Sequence, residues 1–328
     1  MARPFRFGVM TNGGTNTREV VELAKKVEDL GYEGIYYNDH HAGPGPAMEA
    51  ANHAPQELAA IPIAVLAATA TGTLTIGFRV ICIDYHQPVV LAKEMATLDQ
   101  LSNGRLDIGL GAGWIASEYD AMNVRLDRPS VRIERLGEVV ELIRQCFGDR
   151  PVDFDGKTGI SAHGFSGVPK PTQPPGPPIA IGGGGPKVLQ LAGRVADTVA
   201  FNVDNRTGRL APENIRRTTA GPTLEKIGQI REAAGDRFDQ IELEIGAHFT
   251  FVTPDVDGTV SQLGAMTFGM FDLSPEDTLQ HPHALIGDVD QICDILEERR
   301  DTFGFNRVTV LEHTIDAFSP VVDRLSGK

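Results

Sequence analysis

The sequence predicts an α/β protein folded as a single (β/α)8 TIM barrel with insertion loops. Three observations carry that prediction. Strand-like and helix-like patterns alternate along the chain, which favours βαβ units around a parallel sheet. Eight such units fit within roughly 300 residues, which favours one closed barrel over a doubly wound sheet. The predicted strands end in glycine or polar clusters, where a barrel carries its ligand groups.

Each element has its own local signal. Phe5 to Met10 alternates as a first strand, and Thr17 to Leu30 follows as a helix. Thr17 is its expected N-cap, Val20, Val21, Ala24, Val27 and Leu30 form its apolar stripe, and Gly31 stops it. Gly34 to Tyr37 is the second strand and ends at Asn38-Asp39-His40-His41. A loop rich in glycine and proline, Gly43 to Pro46, leads to a helix over Pro55 to Ala70, and Thr73 to Val80 makes the third strand. Pro88 suits the first turn of the next helix, because its missing N–H has no partner there. Val89, Ala92, Met95, Ala96, Leu98 and Leu101 recur at helical spacing, and Asn103-Gly104 supplies a left-handed stop. Leu106 to Leu110 is the fourth strand, which leaves through Gly111-Ala112-Gly113.

Arg132 to Cys146 reads as an amphipathic helix. The proline-rich stretch from Pro151 to Pro178 contains VDFDGKTG, a hairpin with Asp155-Gly156 at its turn. Strands at Pro178 to Ile181, Thr198 to Asn202, Ile241 to Val252 and Arg307 to Leu311 complete the eight. Helices at Pro186 to Val195, Leu224 to Ala234 and Val289 to Thr302 separate the later ones. One domain then spans 1–328, with insertions near 205–222 and 253–283 serving as lids or oligomer contacts.

Composition narrows the function classes. With 41% apolar and 23% charged residues, the chain is an ordinary globular protein with a large core. A net charge of −14 and no block of Lys and Arg argue against a nucleic-acid surface. Cys82, Cys146 and Cys293 are too scattered for a disulfide framework or a CxxC metal site, and they fit a reduced compartment. The start MARPFRFGVMTNGG has no secretory pattern, and Leu58 to Ile76 is broken by Pro62 and Gly72, so no membrane span is expected. A cytoplasmic location is the expectation. His53, His86, His163, His281 and His283 show no metal-ligand spacing, so no metal is expected either.

Two motifs carry the chemistry. Gly182-Gly183-Gly184-Gly185-Pro186-Lys187 follows an apolar strand and opens a helix. Backbone N–H groups freed by glycine at a helix N-terminus bind an anion, and Lys187 adds charge. No GxxxxGK[ST] pattern is present, which disfavours nucleotide hydrolysis. The second motif is HQPVVLAKEMATLDQLSNGRLDIGLGAGW, from His86 to Trp114: a helix, a turn, a buried strand and a glycine-rich exit. Such an exit lets a flat ligand approach the backbone closely.

This second motif resembles the signature of the bacterial luciferase-like flavin- and deazaflavin-dependent oxidoreductases, above all in LDQLSNGRLDIGLGAGW. IDYHQPVVLAKEMATLDQLSNGR, EYDAMNVRLDRPSVRIERLGEVVE and PPIAIGGGGPKVLQLAGRVADTVAFN resemble the subfamily that depends on coenzyme F420. The resemblance covers Phe5 to about Asn202 and thins from Val203 to about His283. It implies that F420, or alternatively FMN, binds with its phosphate at Gly182, Gly183, Gly184, Gly185 and Lys187. The ring would lie over Arg79-Val80 and Gly111, Ala112 and Gly113, with a non-proline cis peptide at Arg79-Val80.

His40 matches the histidine that related enzymes place beside the ring, where an imidazole exchanges the proton that accompanies hydride transfer. Asp39 has three readings: a cofactor contact, a group that orients the histidine, or an Asx turn closing the strand. Arg79 meets an anionic ligand or pairs with a nearby carboxylate. Trp114, the sole tryptophan, walls the pocket and assists His40, or packs in a core. Glu118 and Tyr119 are weaker candidates, and Glu312-His313 reads equally as an acid–base pair or a solvated strand end.

The leading expectation is therefore an oxidoreductase moving hydride between F420 and a small organic substrate. The alternative is an FMN monooxygenase supplied by a separate reductase and using O2. A barrel without cofactor, serving only to bind, is a third reading that the intact glycine loop opposes. The resemblance also implies a homodimer.

Overall fold

A computed structural model describes residues 3–267 and 269–328. In chain order the strands are β1 (Arg6–Thr11), β2 (Gly34–Tyr37), β3 (Thr75–Phe78), β4 (Ile81–Cys82), β5 (Leu106–Gly111), β6 (Val152–Asp155) and β7 (Ser161–Phe165). They continue with β8 (Ile179–Gly183), β9 (Thr198–Phe201), β10 (Glu242–Ala247), β11 (Phe249–Val252), β12 (Ala284–Gly287) and β13 (Phe305–Leu311). Eight of them, β1, β2, β3, β5, β8, β9, β10 and β13, form a parallel ring that closes through the β3–β5 pairing. Val9 of β1 pairs with Ile35 on one side and Val310 on the other, so the first and last units are neighbours. The single-barrel fold class expected from alternation is the one observed.

Local chemistry explains the elements. In the helix Thr17–Asp29, Asn16 is the N-cap, one residue before the expected Thr17; its side chain accepts from the Glu19 N–H at 3.1 Å. The helix Pro88–Leu101 begins with proline, buries Leu91, Ala92, Met95, Ala96 and Leu98, and ends where Asn103 and Gly104 take φ values of 55° and 76°. All six residues of β5 are buried, because helices cover one face and the barrel interior covers the other.

Three expectations are corrected. The third strand does not run unbroken from Thr73 to Val80: it stops at Phe78, and β4 resumes at Ile81 after a cis peptide at Arg79-Val80. The stretch from Ile241 to Val252 is two strands. β10 belongs to the barrel, whereas β11 leaves it and pairs with β12 outside. The helix expected from Pro55 begins at Ala60. The hairpin around Asp155-Gly156 is present as β6 and β7.

Short helices at Pro46–Ala51 and Ala116–Ala121 and a terminal one at Ile315–Leu325 add to the expected elements; the terminal one buries Ile315, Phe318, Val321, Val322 and Leu325 at helical spacing. The last packs Phe318 edge-on against Phe7 of β1. Among the described residues of the insertions, 205–222 carries the helix Pro212–Arg216, and 253–283 carries Val256–Met266 and Pro275–Leu279. Together with β11 and β12 they bury an apolar cluster of their own, including Val203, Ile215, Leu263, Met270 and Phe271. No helix among the described residues is long and apolar enough to cross a membrane.

Candidate active site

A cavity of about 1240 Å³ opens at the carboxyl ends of the barrel strands. β2 delivers Asn38, Asp39 and His40 to its wall, and the break after β3 delivers Arg79 and Val80. β5 delivers Gly111, Ala112, Gly113 and Trp114, and β8 delivers Gly182 to Gly185. Asn202 and His248 enter from β9 and β10. Residues as far apart in sequence as Asn38 and His248 thus share one chamber, because parallel strands of a barrel all point their carboxyl ends to the same face.

The acid–base candidate is a pair. His40 Nδ1 lies 2.9 Å from Glu118 Oε2, and only 13% of the His40 side chain is exposed. Glu118 also accepts from the backbone N–H of His41 at 2.7 Å, from that of Ala42 at 3.1 Å, and from the Tyr85 hydroxyl at 3.2 Å. Burial opposes its ionisation, but the hydrogen bonds from His40 and the two backbone groups outweigh burial and hold its carboxyl below the usual range. An ionised, fixed Glu118 fixes the ring plane of His40. The His53 ring stands 4.4 Å from His40 between centroids, and Trp114 stands edge-on at 6.3 Å. Burial beside His40 pushes His53 down to about 4, which keeps it neutral near pH 7.

Asp39 accepts the Cys82 backbone N–H at 3.0 Å, and its two oxygens lie 3.0 and 2.8 Å from His41 Nε2 and His86 Nε2. Burial opposes its charge, and both histidines override burial, so it stays well below the carboxylate range. Asp39, His41 and His86 bring ligand atoms within 4.8 Å of one another. Spacing along the chain did not reveal this group, since His86 sits 47 residues from Asp39.

Arg79 turns its guanidinium into the barrel. Its Nε and one terminal nitrogen donate to Glu244 at 2.8 and 2.7 Å, and it donates to both oxygens of Asp107 at 3.3 and 3.0 Å. It stacks 4.1 Å above the Tyr36 ring. Arg307 completes the cluster with a 2.8 Å bond to Asp107. Of the two readings of Arg79, carboxylate pairing describes where its charge lies. Lys187 is exposed and lies outside the cavity wall.

The floor suits a flat ring. A Cβ at Gly111 would stand 2.4 Å from Val80 Cγ2, and one at Gly182 would stand 2.8 Å from Val80 Cγ1. Glycine on both sides thus seats Val80 between β5 and β8. Beyond it, the helix Pro186–Val195 starts at Gly185 with no side-chain cap, so no side chain competes for its first N–H groups, the positive end of the helix dipole. Arg132 fixes the Ala112-Gly113 exit by donating to both carbonyls, at 2.9 Å for Ala112. Among the residues named as site candidates, Lys187, Tyr119 and Glu312 stay off the cavity wall and the others reach it. Glu118 was singled out only weakly, because nothing in its sequence context reveals four converging donors.

Comparisons with known proteins agree with this architecture. The model of the luciferase-like monooxygenase family matches residues 1–249. An F420-dependent glucose-6-phosphate dehydrogenase from Amycolatopsis mediterranei is 32% identical over 183 residues, covering 55% of this chain and 52% of that protein. The chain thus spans about half the length of that relative. The structure of an F420-dependent secondary alcohol dehydrogenase superposes with a TM-score of 0.74 at 20% identity, over 98% of this chain and 99% of the other. A monooxygenase from Streptomyces bottropensis superposes at 0.72 and 18% identity, over 97% and 99%. These two show a shared fold. With three quarters of its length matched by the family model, the chain is an enzyme that belongs to the luciferase-like monooxygenase family.

Proposed function

We propose that this protein is an oxidoreductase that transfers hydride between coenzyme F420 and a small organic substrate. The observation that carries the reading is the His40–Glu118 pair, set on the wall of a cavity that also reaches an uncapped helix N-terminus. The similarity to an F420-dependent dehydrogenase supports the choice of cofactor. Bound there, the deazaflavin supplies a two-electron hydride carrier that does not activate oxygen.

The protein's own contribution is binding, orientation and proton handling. Gly182 to Gly185 and the helix behind them hold the phosphate through backbone N–H groups. Val80, flanked by Gly111 and Gly182, supports the ring face, and Trp114 walls the space above. When a hydride leaves a substrate carbon, the electron pair of the neighbouring O–H bond becomes the new C=O bond, and that proton needs an acceptor. Glu118 occupies His40 Nδ1, which leaves Nε2 to take the proton, or to return it in the reverse direction.

An FMN monooxygenase served by a separate reductase is the second reading, favoured by the description of the matched family. Titrating the purified protein with oxidised F420 and with FMN separates the two, using Trp114 fluorescence as the signal. Quenching by F420 and none by FMN is expected. Quenching by FMN alone would overturn the hydride reading and make oxygen uptake the next assay.

A further inference from the structure

We propose that the substrate is a neutral, largely apolar ketone or secondary alcohol and not a phosphorylated sugar. This rests on the hydride-transfer reading for the functional group, while the cavity wall alone carries the polarity. The argument begins with charge. Five carboxylate residues line the cavity (Asp39, Glu49, Glu118, Asp204 and Glu244) against three arginines and, among the described residues, no lysine.

Each arginine is already engaged. Arg79 is paired with Glu244 and Asp107, and Arg132 holds the Ala112 and Gly113 carbonyls. The Nε of Arg206, whose side chain is half exposed, lies 3.0 Å from each oxygen of Asp204, and its terminal nitrogen also pairs there. A phosphate dianion taken from water into this chamber would find no unengaged guanidinium and would meet a surplus of negative charge. His53 and His248 add none, since burial holds both near 4 and therefore neutral. The helix N-terminus at Gly185 does favour an anion, and the cofactor phosphate takes that place.

Shape and apolarity point the same way. Phe249, Phe251 and Met270 belong to the apolar cluster that the two insertions build, and together with Met266 they line the cavity. Met48 and Trp114 line it from a separate small cluster that includes Ile115. The Leu210 N–H donates to the Ala51 carbonyl at 2.9 Å and ties the two clusters together. The part of the wall built by these two clusters is therefore rich in aromatic and thioether side chains, which gain from covering hydrocarbon, although Asn52, Asn205, Thr207 and Thr267 line the cavity as well.

The test is binding of methyl ketones of increasing chain length, cyclohexanone and glucose-6-phosphate, read by thermal shift and Trp114 fluorescence. It is run on the protein alone and on protein loaded with F420. Ketone affinity is expected to climb about fourfold per added methylene until the chamber is filled. Glucose-6-phosphate should produce no shift. Replacing both Phe251→Ala and Met266→Ala should weaken the longest ketone about tenfold. Binding of glucose-6-phosphate, or ketone affinity indifferent to chain length, overturns the proposal, and the unaltered protein suffices for both readings. If ketones bind with the expected dependence while F420 does not, the apolar chamber stands and the cofactor assignment falls.

Discussion

Glu118 Oε2 and His40 Nδ1 lie 2.9 Å apart although 78 residues separate them. Four hydrogen-bonding groups converge on that one carboxylate, and only a fully ionised oxygen pair can accept from all of them. Glu118→Gln puts an amide donor among donors, so the His40 ring loses its fixed plane. A fall in kcat of at least about tenfold is expected for that variant, against about 10² to 10⁴ for His40→Ala. Single-turnover hydride transfer on protein shown to bind cofactor checks both, and unchanged rates would remove His40 from the chemistry.

Gly182→Ala addresses the floor of the cavity. Its Cβ would stand 2.8 Å from Val80 Cγ1, so the valine must move toward the space assigned to the ring. Ring-dependent binding of F420 should weaken by about tenfold, roughly 1.4 kcal/mol. Equal affinity in the fluorescence titration would place the ring elsewhere.

Arg79→Met should destabilise the fold. It strands Asp107 and Glu244 in the barrel with Arg307 as their remaining cation, and Arg307 approaches Glu244 only to 3.7 Å. Breaking a buried network by removing one partner costs about 3–5 kcal/mol. Chemical denaturation measures the loss, and a variant as stable as the parent would show that the cluster contributes nothing net.

Acid should loosen the insertions. His281 accepts the His283 N–H at 3.2 Å and contacts the Ile215 carbonyl at 3.0 Å, while His283 reaches the Gly246 carbonyl at 2.7 Å and stacks on His248. Burial lowers His281 and His248 from 6.5 to about 4 and His283 well below 6.5. The unfolded chain takes up protons on them before the folded one does. Stability is therefore full above about pH 6.5 and is lost as pH falls towards 4, by up to about 3 kcal/mol for His281. Thermal melts between those values should show a falling Tm, and His281→Gln should flatten the dependence. A pH-independent Tm would contradict the buried, neutral assignment.

How much of this was legible in the chain depends on the range of the interaction. The helix at Pro88–Leu101, the strand after it and the Gly182–Gly185 loop were readable because proline, glycine and apolar spacing act within a few residues. The strand over 241–252 was misread as one piece. Its apolar pattern continues through His248, and only the pairing of β11 with β12 reveals the exit from the barrel. Sequence alone determined the alternation, the barrel and the glycine-rich exits, since these follow from local backbone preferences. The tertiary structure decided that Glu118 serves His40, that Arg79 spends its charge on Asp107 and Glu244, and that Lys187 stands outside the cavity. Hydrogen bonds and ion pairs act over about 3 Å through space, and only closure of the barrel brings such distant residues within that reach.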